Sequence, residues 1–185
     1  MTRRAALLRT MLLISVSLQA CTSPRVTDED VDVWRAVVAQ FCRNELPKIA
    51  VLSTDTLDVV AQKISGPNGN LEQWADLTRR GKVRAVLPSD LGCPGLRYAR
   101  EATIDRTFES SDAIPPKWDG FYRQFPGADT ILKLSLPGYT RDRSGAIVLG
   151  SVVSCDGFCG NGDFIKLVRR GGAWKVTEVE TAWIS

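Results

Sequence analysis

The sequence contains no histidine among its 185 residues. This absence excludes Ser-His-Asp and Cys-His catalysis, because both use an imidazole as the general base. It also excludes every zinc site that has a histidine ligand. Any acid–base chemistry must therefore come from Asp, Glu, Lys or Tyr side chains. No motif in the chain indicates a cofactor or a metal ion.

The N-terminal part of the chain also lacks an apolar run long enough to stay in a membrane. Its run Met11–Leu18 is interrupted by two serines, and a transmembrane helix needs about 20 apolar residues. Three arginines, Arg3, Arg4 and Arg9, precede this run. A positive segment followed by a short apolar one is typical of a secretory signal peptide.

The residues Leu18-Gln19-Ala20-Cys21 close this segment. An aliphatic residue three places before a cysteine, with a small residue directly before it, resembles the lipobox of bacterial lipoproteins. The resemblance implies cleavage before Cys21 and lipidation of its thiol, with fatty acyl chains such as palmitate providing a stable membrane anchor. Because Thr22 rather than an aspartate follows, it further implies the outer membrane, with the domain facing the periplasm. The alternative is an ordinary secretory signal with an incidental cysteine.

Cleavage changes how the composition is interpreted. Removing the signal peptide, residues 1–20, leaves 165 residues (185 − 20), which we interpret as a lipidated tether over 21–27 and a single domain over 28–185. The whole chain has a net charge of +3, and the removed segment holds three arginines and no acid, so the mature chain is neutral (3 − 3 = 0). A neutral chain without a basic stripe argues against nucleic acid as a partner.

Five cysteines become four when Cys21 carries lipid. An even number in an oxidising compartment predicts disulfides, whose connectivity the sequence leaves open. We favour Cys42–Cys93, which would join the first helix to a Gly-Cys-Pro-Gly loop, and Cys155–Cys159, which would close a tight turn. The second pair departs from the C-x-x-C spacing of thiol–disulfide exchangers, so a structural role is favoured over a redox role.

Hydrophobic spacing in the N-terminal half of the domain predicts helices with short strands between them. The positions of Val31, Trp34 and Val38 predict a helix over 28–45 with Thr27 as its N-cap. The segment 57–64 fits either a helix or a strand. The other predicted elements are helices over 71–80 and 116–125 and strands over 48–53, 83–87 and 102–108.

The C-terminal third predicts four strands, over 130–136, 146–153, 163–169 and 173–184. Their short connections favour an antiparallel meander. We therefore expect an α+β fold in which an N-terminal helix and short helices pack on a four-stranded antiparallel sheet.

Two further resemblances concern this part of the chain. The region from Phe125-Pro126-Gly127 to Trp174-Lys175-Val176 resembles a group of bacterial secreted proteins and lipoproteins, and the resemblance brings no activity with it. The ending Gly172-Ala173-Trp174-Lys175-Val176 also resembles the last strand of cone-shaped domains of the cystatin-like and nuclear-transport-factor-like kinds. That likeness concerns the fold and not the function.

The aromatic residues Trp118, Phe121, Tyr122 and Phe125 cluster on one side of the predicted helix 116–125. They form either a ligand pocket between that helix and the sheet or the core-facing side of the helix.

Glu178 and Glu180 lie two residues apart on one predicted strand, so they share a face. Paired carboxylates can divide the roles of acid and base when their environments differ. The simpler interpretation is a solvated charged surface.

We therefore expect a non-enzymatic envelope lipoprotein that contacts another envelope protein. The first alternative is a small-ligand binder that uses a pocket at the helix 116–125. The second alternative is an enzyme that works through carboxylates.

Overall fold

A mixed sheet of seven strands forms the centre of the protein in a computed structural model. The structure describes residues 26–43, 50–60, 62, 64–68, 71–108, 117–154 and 159–184. Within these ranges the elements are, in chain order, α1 (Asp28–Arg43), β1 (Ala50–Ser53), α2 (Leu71–Arg80), β2 (Leu96–Ala99), α3 (Glu101–Asp105), α4 (Asp119–Gln124), β3 (Thr130–Leu134), β4 (Gly138–Tyr139), β5 (Gly145–Ser154), β6 (Cys159–Arg170) and β7 (Ala173–Ile184). The fold is of the α+β class that the sequence predicts.

The sheet consists of a parallel part and an antiparallel part. The strand order is β2-β1-β3-β5-β6-β7, and β4 pairs with β5. β1 is parallel to both β2 and β3, whereas every pairing from β3 through β5 and β6 to β7 is antiparallel. The expected four strands are therefore too few, because β1, β2 and β4 belong to the same sheet. Parallel partners are joined by long crossovers, so their pairing leaves no local pattern in the sequence.

The region 82–108 differs most from its prediction. The expected strand 83–87 forms only one isolated bridge, to Asp55, and the expected strand 102–108 is helix α3 with the turn that follows it. At the start of this helix, Asp55 Oδ2 accepts a hydrogen bond from the N–H of Glu101 at 2.7 Å. A carboxylate on a remote segment thus satisfies the first turn of α3, which local alternation cannot indicate.

Helix α1 begins at a reciprocal cap. The N–H of Thr27 donates to Asp30 Oδ2 at 2.8 Å, and the N–H of Asp30 donates to Thr27 Oγ1 at 3.2 Å. This geometry confirms Thr27 as the N-cap. Trp34 Nε1 donates to the Ser135 carbonyl at 2.9 Å, so the indole is buried without an unpaired donor. The helix buries one stripe completely: Val33, Trp34, Val37 and Val38.

Hydrophobic clusters hold the helices against both faces of the sheet. Ala146 and Val148 belong to the cluster under α1, whereas Ile147 and Leu149 belong to the cluster beside α2. This alternation is the two-residue period of a strand that is buried on both sides, and it explains the continuous apolar run of β5. A third cluster joins the parallel strands to the short helices through Val51, Ile104, Trp118, Phe121, Phe125 and Ile131.

A disulfide joins the last turn of α1 to the loop before β2. Cys42 and Cys93 are bonded, with a Cα–Cα distance of 6.3 Å and a sequence separation of 51. This is the pairing that the sequence analysis favours for these two cysteines. The other expected pair, Cys155–Cys159, lies outside the described residues, because Cys155 and the side chain of Cys159 are not among them.

Strand β7 is an edge of the sheet, and it is long enough to pair with another chain. Its pairing with β6 shifts register twice, between Gly162 and Asp163 and between Lys166 and Leu167. Bulges of this kind twist an edge strand away from flat pairing. Charged side chains at Lys175, Glu178 and Glu180 add to this protection.

Candidate functional site

The structure places the aromatic residues of the predicted pocket in the core. Trp118, Phe121 and Phe125 are buried, and Tyr122 is 37% exposed. The ring centroids of Trp118 and Phe121 lie 4.8 Å apart, and those of Phe121 and Phe125 lie 5.1 Å apart. With Val51 and Ile131 of the sheet packed on them, these rings fill the space between α4 and the sheet.

The paired carboxylates on β7 hold a lysine. Lys166 Nζ lies 3.0 Å from Glu178 Oε1 and 2.8 Å from Glu180 Oε2. The hydrogen bond from Lys166 is the main reason that the pKa of Glu180 is lowered. Glu180 also accepts hydrogen bonds from Asn68, so these acids bind β7 to its surroundings.

A buried ion pair connects α1, α2 and β4. Arg80 donates to both carboxylate oxygens of Asp30, each at 2.9 Å, and to the Pro137 carbonyl at 2.6 Å. The Tyr139 hydroxyl donates to Asp30 Oδ1 at 2.8 Å. We call Asp30, Arg80 and Tyr139 the buried triad. Asp30 has no exposed surface, and these contacts together with the Thr27 cap satisfy its oxygens.

The charges in the buried triad are fixed by their contacts. Burial alone would raise the pKa of Asp30, but hydrogen bonds from Arg80 and Thr27 outweigh it and leave the pKa below its ordinary value. Burial and the neighbouring Asp30 charge raise the pKa of Tyr139. The carboxylate is therefore ionised and the phenol is protonated, which suits a structural hydrogen bond more than a proton transfer.

Above the buried triad lies a groove of about 670 Å³ between α2 and the chain that follows β4. We call it the α2 groove. Its described lining residues are Leu71, Glu72, Ala75, Asp76, Tyr139, Thr140, Arg141 and Arg143. The volume is that of a small-ligand or side-chain site.

Direct backbone contact sets the width of the α2 groove. A Cβ on Gly138 would lie 2.3 Å from the Gln73 carbonyl oxygen and 2.5 Å from the Leu77 nitrogen. Only glycine therefore lets β4 approach α2 this closely. One residue further, the N–H of Tyr139 donates to Asp76 Oδ2 at 3.0 Å, which fixes the helix against the strand.

The two walls of the α2 groove carry opposite charges. Glu72 and Asp76 lie one helical turn apart on α2, and Arg141 and Arg143 lie on the facing turn. Arg141 Nε is 3.2 Å from Glu72 Oε1, and the Arg141 side chain is 95% exposed. Leu71, the first residue of α2, lies on the same wall as Glu72 and is 78% exposed. The surface thus presents an apolar side chain beside a carboxylate and a guanidinium group.

The turn that carries the arginines is held in place from within. Asp142 accepts hydrogen bonds from the Thr140 hydroxyl at 2.6 Å and from the N–H of Ser144 at 3.0 Å. The hydrogen bond from Thr140 is the main one that lowers the pKa of Asp142 to about 2. Arg143 has a positive φ of 58°, and its guanidinium lies 3.8 Å from the centre of the Tyr139 ring.

Sequence reasoning missed this groove. On α2 the buried positions are Gln73, Leu77 and Arg80, and because two of them are polar, the sequence does not show which side of the helix faces outward. In the structure Leu71 lies off the buried stripe and is exposed. The opposite wall could not be found, because the turn at 140–143 reaches α2 only through the fold.

No protein-family model, curated protein or solved structure matches this chain. Among the described helices, none combines the length and apolarity that crossing a membrane requires. Within the described ranges, no three Cys, Asp or Glu side chains come together in a way that would hold a metal ion.

Proposed function

We propose that this protein is a lipid-anchored envelope protein, non-enzymatic, whose α2 groove docks a segment of a partner protein. The lipobox residues Leu18–Cys21 supply the anchor, on the outer membrane and facing the periplasm. The observation that carries the docking role is the exposed Leu71 in a groove whose walls carry opposite charges.

The disulfide supports a place outside the cytoplasm. Cys42 and Cys93 are bonded in the structure, and stable disulfides belong to oxidising compartments such as the bacterial periplasm. The six residues Thr22–Thr27 span at most about 20 Å when extended. The first turn of α1 would therefore lie close to the membrane surface.

The α2 groove lies beside that first turn. Arg143 Nε donates to Glu29 Oε2 at 2.8 Å, and Tyr139 donates to Asp30. An anchored protein would therefore present the groove near the membrane, where other envelope proteins carry their membrane-proximal segments. The antiparallel strands β3 and β5–β7 with α1 across them are compatible with a cone-shaped, cystatin-like half, which we include in this proposal.

The chemistry of the walls defines the partner segment. It carries an apolar side chain for Leu71, a cationic side chain for Glu72 and an anionic side chain for Arg141. The existing Glu72–Arg141 pair is exposed, and exposed pairs contribute about 0–1 kcal/mol. Exchange of that pair for contacts with a partner therefore costs little.

Peptide display against the purified protein tests the docking role. We expect enrichment of peptides in which an apolar residue lies beside residues of opposite charge. Arg141→Glu should remove the preference for an acidic residue, and Leu71→Glu should abolish enrichment. The double variant Glu72→Arg with Arg141→Glu keeps an ion pair and should select peptides again.

Arg35→Glu is the matched control, because Arg35 is an exposed arginine in a similar surface pair with Asp32 on α1. It should leave the selected peptides unchanged. Selection that is the same for all variants, with circular dichroism showing that each is folded, would refute docking in the groove.

The anchor is tested separately. Cys21→Ser should abolish incorporation of labelled fatty acid and leave the protein unprocessed or released from the membrane. Labelling that persists in this variant would refute lipidation at Cys21 without affecting the docking role.

A further inference from the structure

A second groove lies between α3 and α4, next to the segment that carries the buried aromatic residues Trp118, Phe121 and Phe125. Its volume is about 480 Å³. We call it the α3–α4 groove. Its described lining residues are Thr103, Arg106, Thr107, Gly120, Arg123 and Gln124. Both short helices therefore contribute side chains to it.

Gly120 brings the two walls of the α3–α4 groove into contact. A Cβ at this position would lie 2.1 Å from the Thr107 carbonyl oxygen, so no other residue fits without moving the backbone. The lining positions 103, 106 and 107 have the spacing i, i+3 and i+4, and the positions 120, 123 and 124 repeat it. Each segment thus turns one face to the other.

The lining is cationic and contains no acidic residue among the described ones. Arg106 Nε donates to the Ala102 carbonyl at 3.1 Å, and Arg106 Nη2 donates to Thr103 Oγ1 at 3.2 Å. These bonds hold the guanidinium in place and leave its other N–H groups for a ligand. Arg123, across the groove, is exposed and forms no ion pair with a described residue.

The hydroxyl and amide groups complete a set of donors. The Thr103 hydroxyl accepts from Arg106 and keeps its own hydrogen for donation, and the Gln124 amide adds N–H donors. The Thr107 hydroxyl donates to the Ile104 carbonyl at 2.6 Å, so it can accept a hydrogen bond from a ligand hydroxyl. The set suits an anion that also bears a hydroxyl group.

We propose that the α3–α4 groove binds a phosphate group. Two guanidinium groups on facing walls can contact oxygens that point in different directions, as the oxygens of a tetrahedral phosphate do. A phosphate group carries more charge than a carboxylate and can present three oxygens rather than two, so it can accept more of the donors that line the groove. The phosphate belongs either to a free phosphorylated compound or to a phospholipid headgroup. This site is separate from the α2 groove and does not depend on the proposed docking role.

Nuclear magnetic resonance titration tests the phosphate site. Inorganic phosphate and glycerol 3-phosphate are added to the isotope-labelled protein at constant ionic strength, with acetate as the carboxylate comparison. We expect saturable shifts at 103–107 and 120–124, with phosphate binding more tightly than acetate. Arg106→Gln and Arg123→Gln should each weaken phosphate binding about tenfold, because each removes a charge-assisted hydrogen bond to the anion.

Arg79→Gln is the matched control, because Arg79 is an exposed arginine on α2 that pairs with Asp76 and lies outside the groove. It should bind phosphate like the unchanged protein. Both groove arginines are exposed, so their variants should keep the dispersed spectrum of the folded protein.

Vesicles distinguish the source of the phosphate. Sedimentation with phosphatidylglycerol vesicles that fails in Arg106→Gln and Arg123→Gln identifies a lipid headgroup. Saturable binding of glycerol 3-phosphate without such sedimentation identifies a free compound. The proposal is overturned if no phosphate compound gives saturable shifts, or if the groove variants bind as well as Arg79→Gln.

Discussion

Two ion pairs on helix α2 lie in opposite surroundings. Arg80 meets Asp30 at 2.9 Å, with side chains that are 9% and 0% exposed. Glu72 meets Arg141 at 3.2 Å, with side chains that are 48% and 95% exposed. Both pairs join α2 to another segment of the chain. The buried pair, whose members also share two hydrogen bonds, fixes the structure, whereas the exposed pair is free to exchange partners.

The difference follows from the cost of desolvation. Removing one member of a buried pair leaves a charge that water cannot reach, which costs several kcal/mol. Removing one member of an exposed pair returns the other to water at almost no cost. The buried triad therefore holds the floor of the α2 groove in place, whereas the exposed Glu72–Arg141 pair on the walls of the groove is able to exchange partners.

The largest effect is expected from Arg80→Met. This change keeps much of the side-chain length but leaves the Asp30 carboxylate buried without its cation. We expect a loss of about 3–5 kcal/mol in the free energy of unfolding, measured by urea denaturation. A loss below about 1 kcal/mol would show that the triad is no more important than a surface pair.

Acidification should reduce the difference in unfolding free energy between the unchanged protein and Arg80→Met. The pKa of Asp30 lies below its ordinary value of 3.8, so the stability it contributes is present above the pKa of the unfolded chain and is lost as pH falls through the folded pKa. In Arg80→Met the same carboxylate has a raised pKa, and protonation relieves its burial. Urea denaturation should show the two proteins converging as pH falls; a gap that is independent of pH would contradict the ionic origin.

A covalent bond, the disulfide, holds the other end of the same helix, so its contribution to the unfolding free energy can be compared with that of the buried triad. The buried triad holds the first turn of α1, and Cys42–Cys93 holds its last turn. Replacing both cysteines by alanine should cost about 4 kcal/mol, measured by thermal unfolding. Reduction of the unchanged protein should give at least this loss, because it also opens the expected Cys155–Cys159 pair. The effect of the reductant on the double variant measures that second contribution by itself.

Tyr139→Phe should have an intermediate effect. It removes the hydroxyl that donates to Asp30 at 2.8 Å and keeps the ring beneath Arg143. We expect a loss of about 1–2 kcal/mol in unfolding free energy. Tyr98→Phe is the comparison, because its hydroxyl accepts from the N–H of Leu91 in a less buried place. An equal loss of unfolding free energy in both variants would mean that the Tyr139–Asp30 hydrogen bond contributes no more than the less buried one at Tyr98.

The smallest effect is expected at the exposed pair. Glu72→Gln should change the unfolding free energy by less than about 1 kcal/mol, although it should weaken selection of peptides with a cationic residue. The comparison of the two pairs fails if this variant unfolds as easily as Arg80→Met.

The sequence predicts the elements that rest on local signals. Thr27 marks the start of α1, the spacing of Val31, Trp34 and Val38 along it is helical, and the continuous apolar run 146–153 identifies β5. Each of these depends on neighbours within a few residues along the chain. The prediction of an α+β fold with an antiparallel C-terminal part follows from them.

The remainder depends on contacts between distant residues. Asp55 accepts a hydrogen bond from the first turn of α3, although it lies 46 residues before it. The strands that pair with β1 are distant from it in the sequence. The α2 groove depends on the close contact between Gly138 of β4 and α2. For the same reason the aromatic residues near 118–125 could be assigned to one side of a helix, but whether they surround a cavity or fill it depends on β1 and β3.

The two fixed ends of α1 also determine how the protein responds to mechanical load. A force that pulls on the chain before Thr27 acts on the first turn of α1, where Asp30 is hydrogen-bonded to Arg80 and Tyr139. The far end cannot separate from the loop before β2, because a covalent bond holds it. A force applied there is therefore shared among α1, α2 and β4 from the start, and the helix cannot peel away one turn at a time.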